Sequence, residues 1–243
     1  MYLEKIKEFQ VLIIGICVAL ALIICAGIIS ATFSNKGVTV KGTAYKVVTS
    51  DSATWKIELT SQEKTKAQGY EKIKAGLPVV MKYLKDNNID EKDIEVATPT
   101  SYSVYAINPN NGNTTNEIAY YNFTQTITVN SKDVKHIQKI STNIQDLLNK
   151  GLNINSLAPE YYYTDIASLK IELLEEATKD AKKRANAMLK ATRNRTSSIK
   201  SVKMGIFQIT PPNSTEVSDW GINDTSTIDK KVTAVANVVF EVK

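Results

Sequence analysis

Between Val11 and Ala31 the chain reads VLIIGICVALALIICAGIISA, with no charged residue. At about 1.5 Å of rise per residue, a helix over this run is roughly 30 Å long, the hydrocarbon thickness of a bilayer. Everything beyond Lys36 is polar, charged and patterned like a water-soluble fold. The sequence therefore divides into a short cytoplasmic N-terminus (1–10), a transmembrane anchor in the lipid bilayer (11–31), a linker (32–36) and one extramembrane domain (37–243). A cleaved signal peptide is the competing reading. Its apolar core is ordinarily about 7–15 residues, ending in a small-x-small site. A cut after Ala31 would put Ile29 where a small residue belongs, and Cys25 follows Leu22-Ile23-Ile24, without the small residue that precedes a lipidated cysteine.

Charge does not fix the orientation. Lys5 and Lys7 before the span are offset by Glu4 and Glu8, while Lys36, Lys41 and Lys46 follow it. Cysteine usage tips the balance. Cys17 and Cys25 both lie in the apolar run, and a thiol-free domain suits an oxidising compartment. The expectation is a single-pass protein of the cell (inner) membrane, its C-terminal domain periplasmic or extracellular. The net charge of +5 is spread among interspersed acids and lysines, which gives no stripe for nucleic acid.

Periodicity maps the domain as α+β, in the order ββαββαβαββ, an antiparallel sheet with helices on one face. Val38, Val40, Gly42 and Ala44 alternate with polar residues, as do Ala53, Trp55, Ile57 and Leu59, with a turn at Ser50-Asp51. Ala67, Tyr70, Ile73, Leu77, Val80, Met81 and Leu84 have helical spacing, with Pro78 expected to kink or restart the helix. Ile94 to Tyr105 reads as a strand, and the turn-rich segment 108–116 leads to a returning strand through Ala119 to Val129. Ser131 is the expected cap of a second helix ending at Lys150-Gly151. Asn153 to Tyr163 is a strand. Leu169, Leu173, Ala177, Ala181, Ala185 and Leu189 then mark one face of the longest helix, whose small side chains allow a close neighbour. Val202 to Ile209 and Val232 to Val242 complete the strands. The middle section has the order of a split βαβ unit.

Chemistry is sparse. His136 lies off the apolar stripe of its helix, so it reads as a solvated residue. One histidine and no cysteine in the domain rule out the usual zinc and haem ligand sets, and no phosphate-binding loop or nucleophile elbow is present. Glu172, Glu175, Glu176 and Asp180 form an acidic cluster open to acid/base work, but lysines and Arg184 stand three or four residues along and offer ion pairs. No catalytic, cofactor or metal residues are expected, and the chain reads as a non-enzyme. Aromatics are the better signal. Tyr120, Tyr121, Tyr161, Tyr162 and Tyr163 sit on strands, where consecutive residues face opposite ways, and Trp220 lies in a polar loop. These are the candidate residues of an oligomer interface. The alternative is a binding module for a small molecule, peptide or envelope polymer, using loops 108–116 and 213–229.

Four segments, in order, carry a resemblance to the bacterial SIMPL-domain family. VTVKGTAYKVVTSDSATWKIELTSQ resembles its opening hairpin, with Gly42 before the turn and Asp51-Ser52-Ala53 in it. VVMKYLKDNNIDEKDIEVATPTSYSVY resembles its helix-to-strand passage, LLNKGLNINSLAPEYYYTD its G-x-N-x-I passage, and EEATKDAKKRANAML its alanine-spaced helix. Two departures stand out. Arg193-Asn194-Arg195 replaces the glycine usual after that helix, and Asn155 falls where a small or hydrophobic residue is commoner. The family includes periplasmic immunogenic and oxidative-stress-defence proteins, usually exported, some forming rings or cages. The resemblance therefore implies an extracytoplasmic, homo-oligomeric protein of the cell envelope with a stress-response role.

Overall fold

A computed structural model describes residues 14–26 and 37–243. The expected N-terminus (1–10), the expected linker (32–36) and both ends of the expected anchor lie outside the described residues. Residues 14–26 form helix α1, about 20 Å long. It carries no charge, and its isoleucines, leucines and valine are all more than half exposed. Among the described residues no helix is long and apolar enough to cross a membrane.

The elements that follow are β1 (Gly37–Thr49), β2 (Ser52–Glu63), α2 (Lys66–Asp86), a 3-10 turn (Glu91–Asp93), β3 (Ile94–Val96), β4 (Thr100–Ile107) and β5 (Thr114–Ser131). After them come α3 (Val134–Thr142), α4 (Gln145–Leu148), β6 (Ile154–Ser156), β7 (Glu160–Tyr162) and α5 (Ile166–Lys190). The chain ends with β8 (Thr196–Met204), β9 (Gln208–Thr210), β10 (Ile222–Asn223) and β11 (Asp229–Val242). They divide into two compact units, the larger made of residues 45–173 and 206–233. The α+β class stands. Instead of one antiparallel sheet there are two, and one of them is mixed, because β10 runs parallel to β9.

The larger unit is built on an antiparallel sheet in the order β4-β5-β2-β6, with β3 beside β5 and β7 beside β2. This is the strand order of a split βαβ unit, with β5 inserted between the parallel β2 and β4. Strand alternation sends Ala53, Trp55, Ile57, Leu59, Phe123, Ile127 and Val129 to one face, where they are buried. Thr54, Lys56, Glu58, Thr124, Thr126 and Thr128 take the other face and are at least partly exposed. The buried face is covered by Ile73, Val80 and Leu84 of α2, Ile137 and Ile140 of α3 and Leu147 of α4. Each such side chain contributes about 1.5–3 kcal/mol by leaving water. The buried stripe of α2 is turned from the expected one toward Gly69 and Gly76, leaving Tyr70 half exposed. The cause is Phe123, whose ring fills the space of a Gly69 side chain, with Tyr70 edge-on to it at 5.2 Å.

Several boundaries differ from expectation, each for a local reason. Pro78 lies inside a continuous α2. Pro99 divides the expected strand at 94–105 into β3 and β4, and Pro159 divides the next one into β6 and β7, since proline cannot donate to a ladder. The second helix breaks at Asn143-Ile144 into α3 and α4. Its cap is Asp133, which accepts from the His136 N–H at 2.9 Å, while Ser131 accepts from the Asp133 N–H.

In the smaller unit (residues up to 44, 174–205 and 234–243) β11 pairs with β8. Ala234, Ala236, Val238 and Phe240 are buried in alternation. Ala177, Ala181 and Ala185 of α5 are fully buried, as the narrow stripe implies. Gly42 of β1 lies so close to them that a Cβ there would stand 2.0 Å from the Ala177 carbonyl oxygen.

Candidate functional site

The loop before β11 is tied by a buried ion pair. Alternation along β11 turns Lys230 inward with Val232 and Ala234, leaving it 3% exposed. Its ammonium donates to the carbonyls of Asp224 at 2.6 Å and Thr227 at 2.7 Å and stands 3.6 Å from the Asp224 carboxylate. That carboxylate accepts from the Ser226 N–H and hydroxyl and from the Thr227 hydroxyl. Burial alone would raise the Asp224 carboxyl. The hydrogen bonds from Thr227 and Ser226, with the charge of Lys230, outweigh it and hold the pKa at about 2. Burial lowers the pKa of Lys230 against the opposing pull of Asp224. The buried charges are thus satisfied within the loop, as burial requires.

Beside this knot is a cleft of about 740 Å³, walled by Thr49, Lys135, Gln138, Tyr161, Pro212 and the segment 226–229. Thr49 donates to the Asp229 carboxylate at 2.7 Å, and the Tyr161 N–H donates to the Thr225 carbonyl at 2.7 Å. The wall offers hydroxyls, an amide, one lysine and the Asp229 carboxylate. Such a set holds a polar molecule by hydrogen bonds. Among the described residues no group of three or more His, Cys, Asp or Glu side chains is arranged to hold a metal ion.

Three members of the acidic cluster of α5, Glu172, Glu175 and Asp180, are engaged in ion pairs. Glu172 bonds Lys46 at 2.9 Å and Glu175 bonds Lys179 at 2.5 Å, which holds the Glu175 carboxyl below its usual range. Asp180 accepts from the Thr43 backbone N–H at 2.9 Å and from Arg184 at 2.7 Å. His136 is half-buried: its Nε2 donates to the Asn87 carbonyl at 2.7 Å and ties α3 to the end of α2.

The candidate interface aromatics do not converge. Tyr120 is half-buried on β5. Tyr121 packs against the core, with the Lys66 ammonium 5.5 Å from its ring centre. Tyr161 is 4% exposed, so its ring belongs to the core of its own chain, and burial raises the pKa of its phenol. Tyr162 faces outward and donates to Glu160 at 3.0 Å, while Tyr163 is half-buried. Trp220 is 95% exposed. Tyr161 pairs with Ala53 and Tyr121 with Glu63, at opposite ends of β2. At about 3.3 Å per residue the two groups are roughly 33 Å apart.

The largest exposed aromatic and aliphatic side chains of the central hairpin are others: Tyr102, Tyr105 and Ile107 on β4 and Ile118 on β5. The sequence marks this region by charge, since no charged residue falls between Glu95 and Glu117. Tyrosine runs alone do not single it out.

The model of one protein family, SIMPL, described as a protein of unknown function (DUF541), matches residues 38–240. No curated protein matches the chain. The match spans both the split βαβ sheet and the strands around the alanine-lined helix, so the chain belongs to the SIMPL family.

Proposed function

We propose that this SIMPL protein is a non-enzymatic, membrane-anchored assembly domain of the cell envelope. Residues 11–31 hold it in the membrane with the N-terminus cytoplasmic. The domain stands outside and self-associates into a ring or cage that serves envelope maintenance or oxidative-stress defence. The observation that carries the reading is α1: an uncharged helix whose large apolar side chains are each more than half exposed. Such a surface is stable in lipid and costly in water. Unpaired sheet edges support self-association, because each offers a row of N–H and C=O groups to a neighbour. The test is alkaline carbonate extraction of membranes, then light scattering of the detergent-purified chain. Retention in the pellet and a mass of several copies are expected. Release into the supernatant removes the anchor, and a single copy per micelle removes the assembly.

A second reading, an extracytoplasmic binding module, rests on the cleft beside Asp224–Lys230. A thermal shift with a small polar metabolite, lost on Gln138→Leu, favours it.

A further inference from the structure

The edges of the two sheets differ in one respect that decides which of them can meet a copy of itself. β3, β6, β7 and β10 are two or three residues long, and Pro159 separates β6 from β7. β1 carries Lys41 and Lys46, and β8 carries Lys200 and Lys203. Short length, proline and lysine are the devices by which edge strands are kept from pairing. Antiparallel pairing of β1 or β8 with its own copy would also bring like charges together, which is unfavourable. β4 is neither short nor marked by proline or lysine, although its pairing with β5 shifts register between Val104 and Ile107. It spans eight residues, Thr-Ser-Tyr-Ser-Val-Tyr-Ala-Ile, without charge, proline or glycine. It pairs only with β5 among the described residues.

The hairpin also outruns its sheet. β2 pairs with β5 from Tyr121 to Ser131, whereas β4 pairs with β5 from Thr114 to Thr124. Among the described residues, residues 114–120 of β5 therefore have β4 as their sole strand neighbour, and the two strands continue as a ribbon. Register shifts between Val104 and Ile107 mark irregular pairing in it. On it Tyr102 is 62% and Ile107 67% exposed, and Tyr105 and Ile118 are cross-strand partners, each nearly half exposed. Exposed tyrosine and isoleucine on an uncharged edge form a surface that solvent alone does not favour.

Resting on the assembly reading above, we propose that the free edge of β4 is the contact between copies, formed by antiparallel pairing of β4 with β4 of a second chain. A neutral strand is compatible with its own reverse, so a two-fold pair centred on Ser103 or Val104 sets the two copies of β4 side by side without opposing charges.

The experiment uses the full chain in detergent. Tyr102→Lys with Ile107→Lys changes two exposed side chains, so the circular dichroism spectrum and melting should stay as in the wild type. The association constant should fall by roughly tenfold or more, since like charges then face each other across the pair. In a second variant, Cys17→Ser and Cys25→Ser remove the native thiols and Ser103→Cys with Val104→Cys place one thiol on each face at the strand midpoint, where a residue meets its own copy across the two-fold axis. Mild oxidation should give an intermolecular disulfide there, and none with a single cysteine at Trp220. A lysine variant that keeps its mass, with no disulfide between the β4 cysteines, overturns this contact and leaves assembly standing. A wild-type chain with one copy per micelle at every concentration overturns both. Monomeric wild type that binds isolated cell-wall polymer, with binding lost in the lysine variant, assigns the ribbon to another partner and overturns self-pairing.

Discussion

Arg193 has φ near +60°, the left-handed conformation. The Asn194 N–H donates to the Leu189 carbonyl and the Arg193 N–H to that of Lys190, which is the Schellman closure of α5. Glycine is the usual residue there, and a side chain in that conformation carries a cost. Arg193→Gly should stabilise the chain by about 0.5–1 kcal/mol in urea denaturation. Asn88, also left-handed and closing α2 in the same way through Leu84 and Lys85, should respond less to glycine, because asparagine tolerates that region. The buried pair gives a pH dependence. The carboxyl of Asp224 is depressed from 3.8 to about 2 in the fold, so its contribution is present above pH 3.8 and lost as pH falls through about 2. Its size is about 2 kcal/mol. The stability gap between wild type and Asp224→Asn should therefore shrink between pH 4 and pH 2. A constant gap across that interval would show that the carboxylate charge is not what holds the loop. Lys230 acts in the opposite sense. Its lowered pKa means that its buried charge weighs against folding at neutral pH, relieved as pH rises toward 10.5.

Among the elements, β1 and α5 depend most on close approach. A Gly42 Cβ would strike the Ala177 carbonyl, the Ala181 nitrogen and the Ala181 Cβ at 2.0, 2.4 and 2.7 Å. Two of these atoms are backbone and cannot rotate away. Gly42→Ala should cost about 3 kcal/mol, the upper part of the usual range for overpacking, read as a fall in the urea midpoint. Gly15→Ala in α1 meets nothing within 4 Å and should leave domain stability unchanged. Gly42 lies in the family-like opening segment, and the alanines lie in its family-like helix. Those motifs thus record one packing contact rather than a reaction site.

For the whole molecule, α1 and the domain differ in how their apolar side chains are placed. The domain buries its apolar faces under its own helices and strands, whereas α1 is uncharged and its large apolar side chains are each more than half exposed. Ile16→Lys with Leu20→Lys places two charges within it, each costing about 2.5–3.5 kcal/mol at a bilayer centre. The full chain should move from the membrane pellet to the carbonate supernatant, while circular dichroism of the domain is unchanged. A pellet fraction equal to that of the wild type would show that α1 does not hold the protein in lipid.

The alternation in β2, β5 and β11 and the alanine spacing in α5 were legible in the chain because each depends on side-chain period alone. The α+β class and the split βαβ arrangement followed from those patterns, and the family from the resemblance of four segments. Prolines 99 and 159 interrupt two expected strands, and Pro78 sits inside a helix expected to kink or restart there. Tyr161 and Tyr162 are adjacent letters, yet the pairing of β7 with β2 buries one and exposes the other. The buried Lys230 reads as an ordinary surface lysine until Asp224 and two carbonyls close around it. Local periodicity selects elements and faces. Which edge stays open, and which charge is enclosed, depends on residues far apart in the chain, and the tertiary structure decided both.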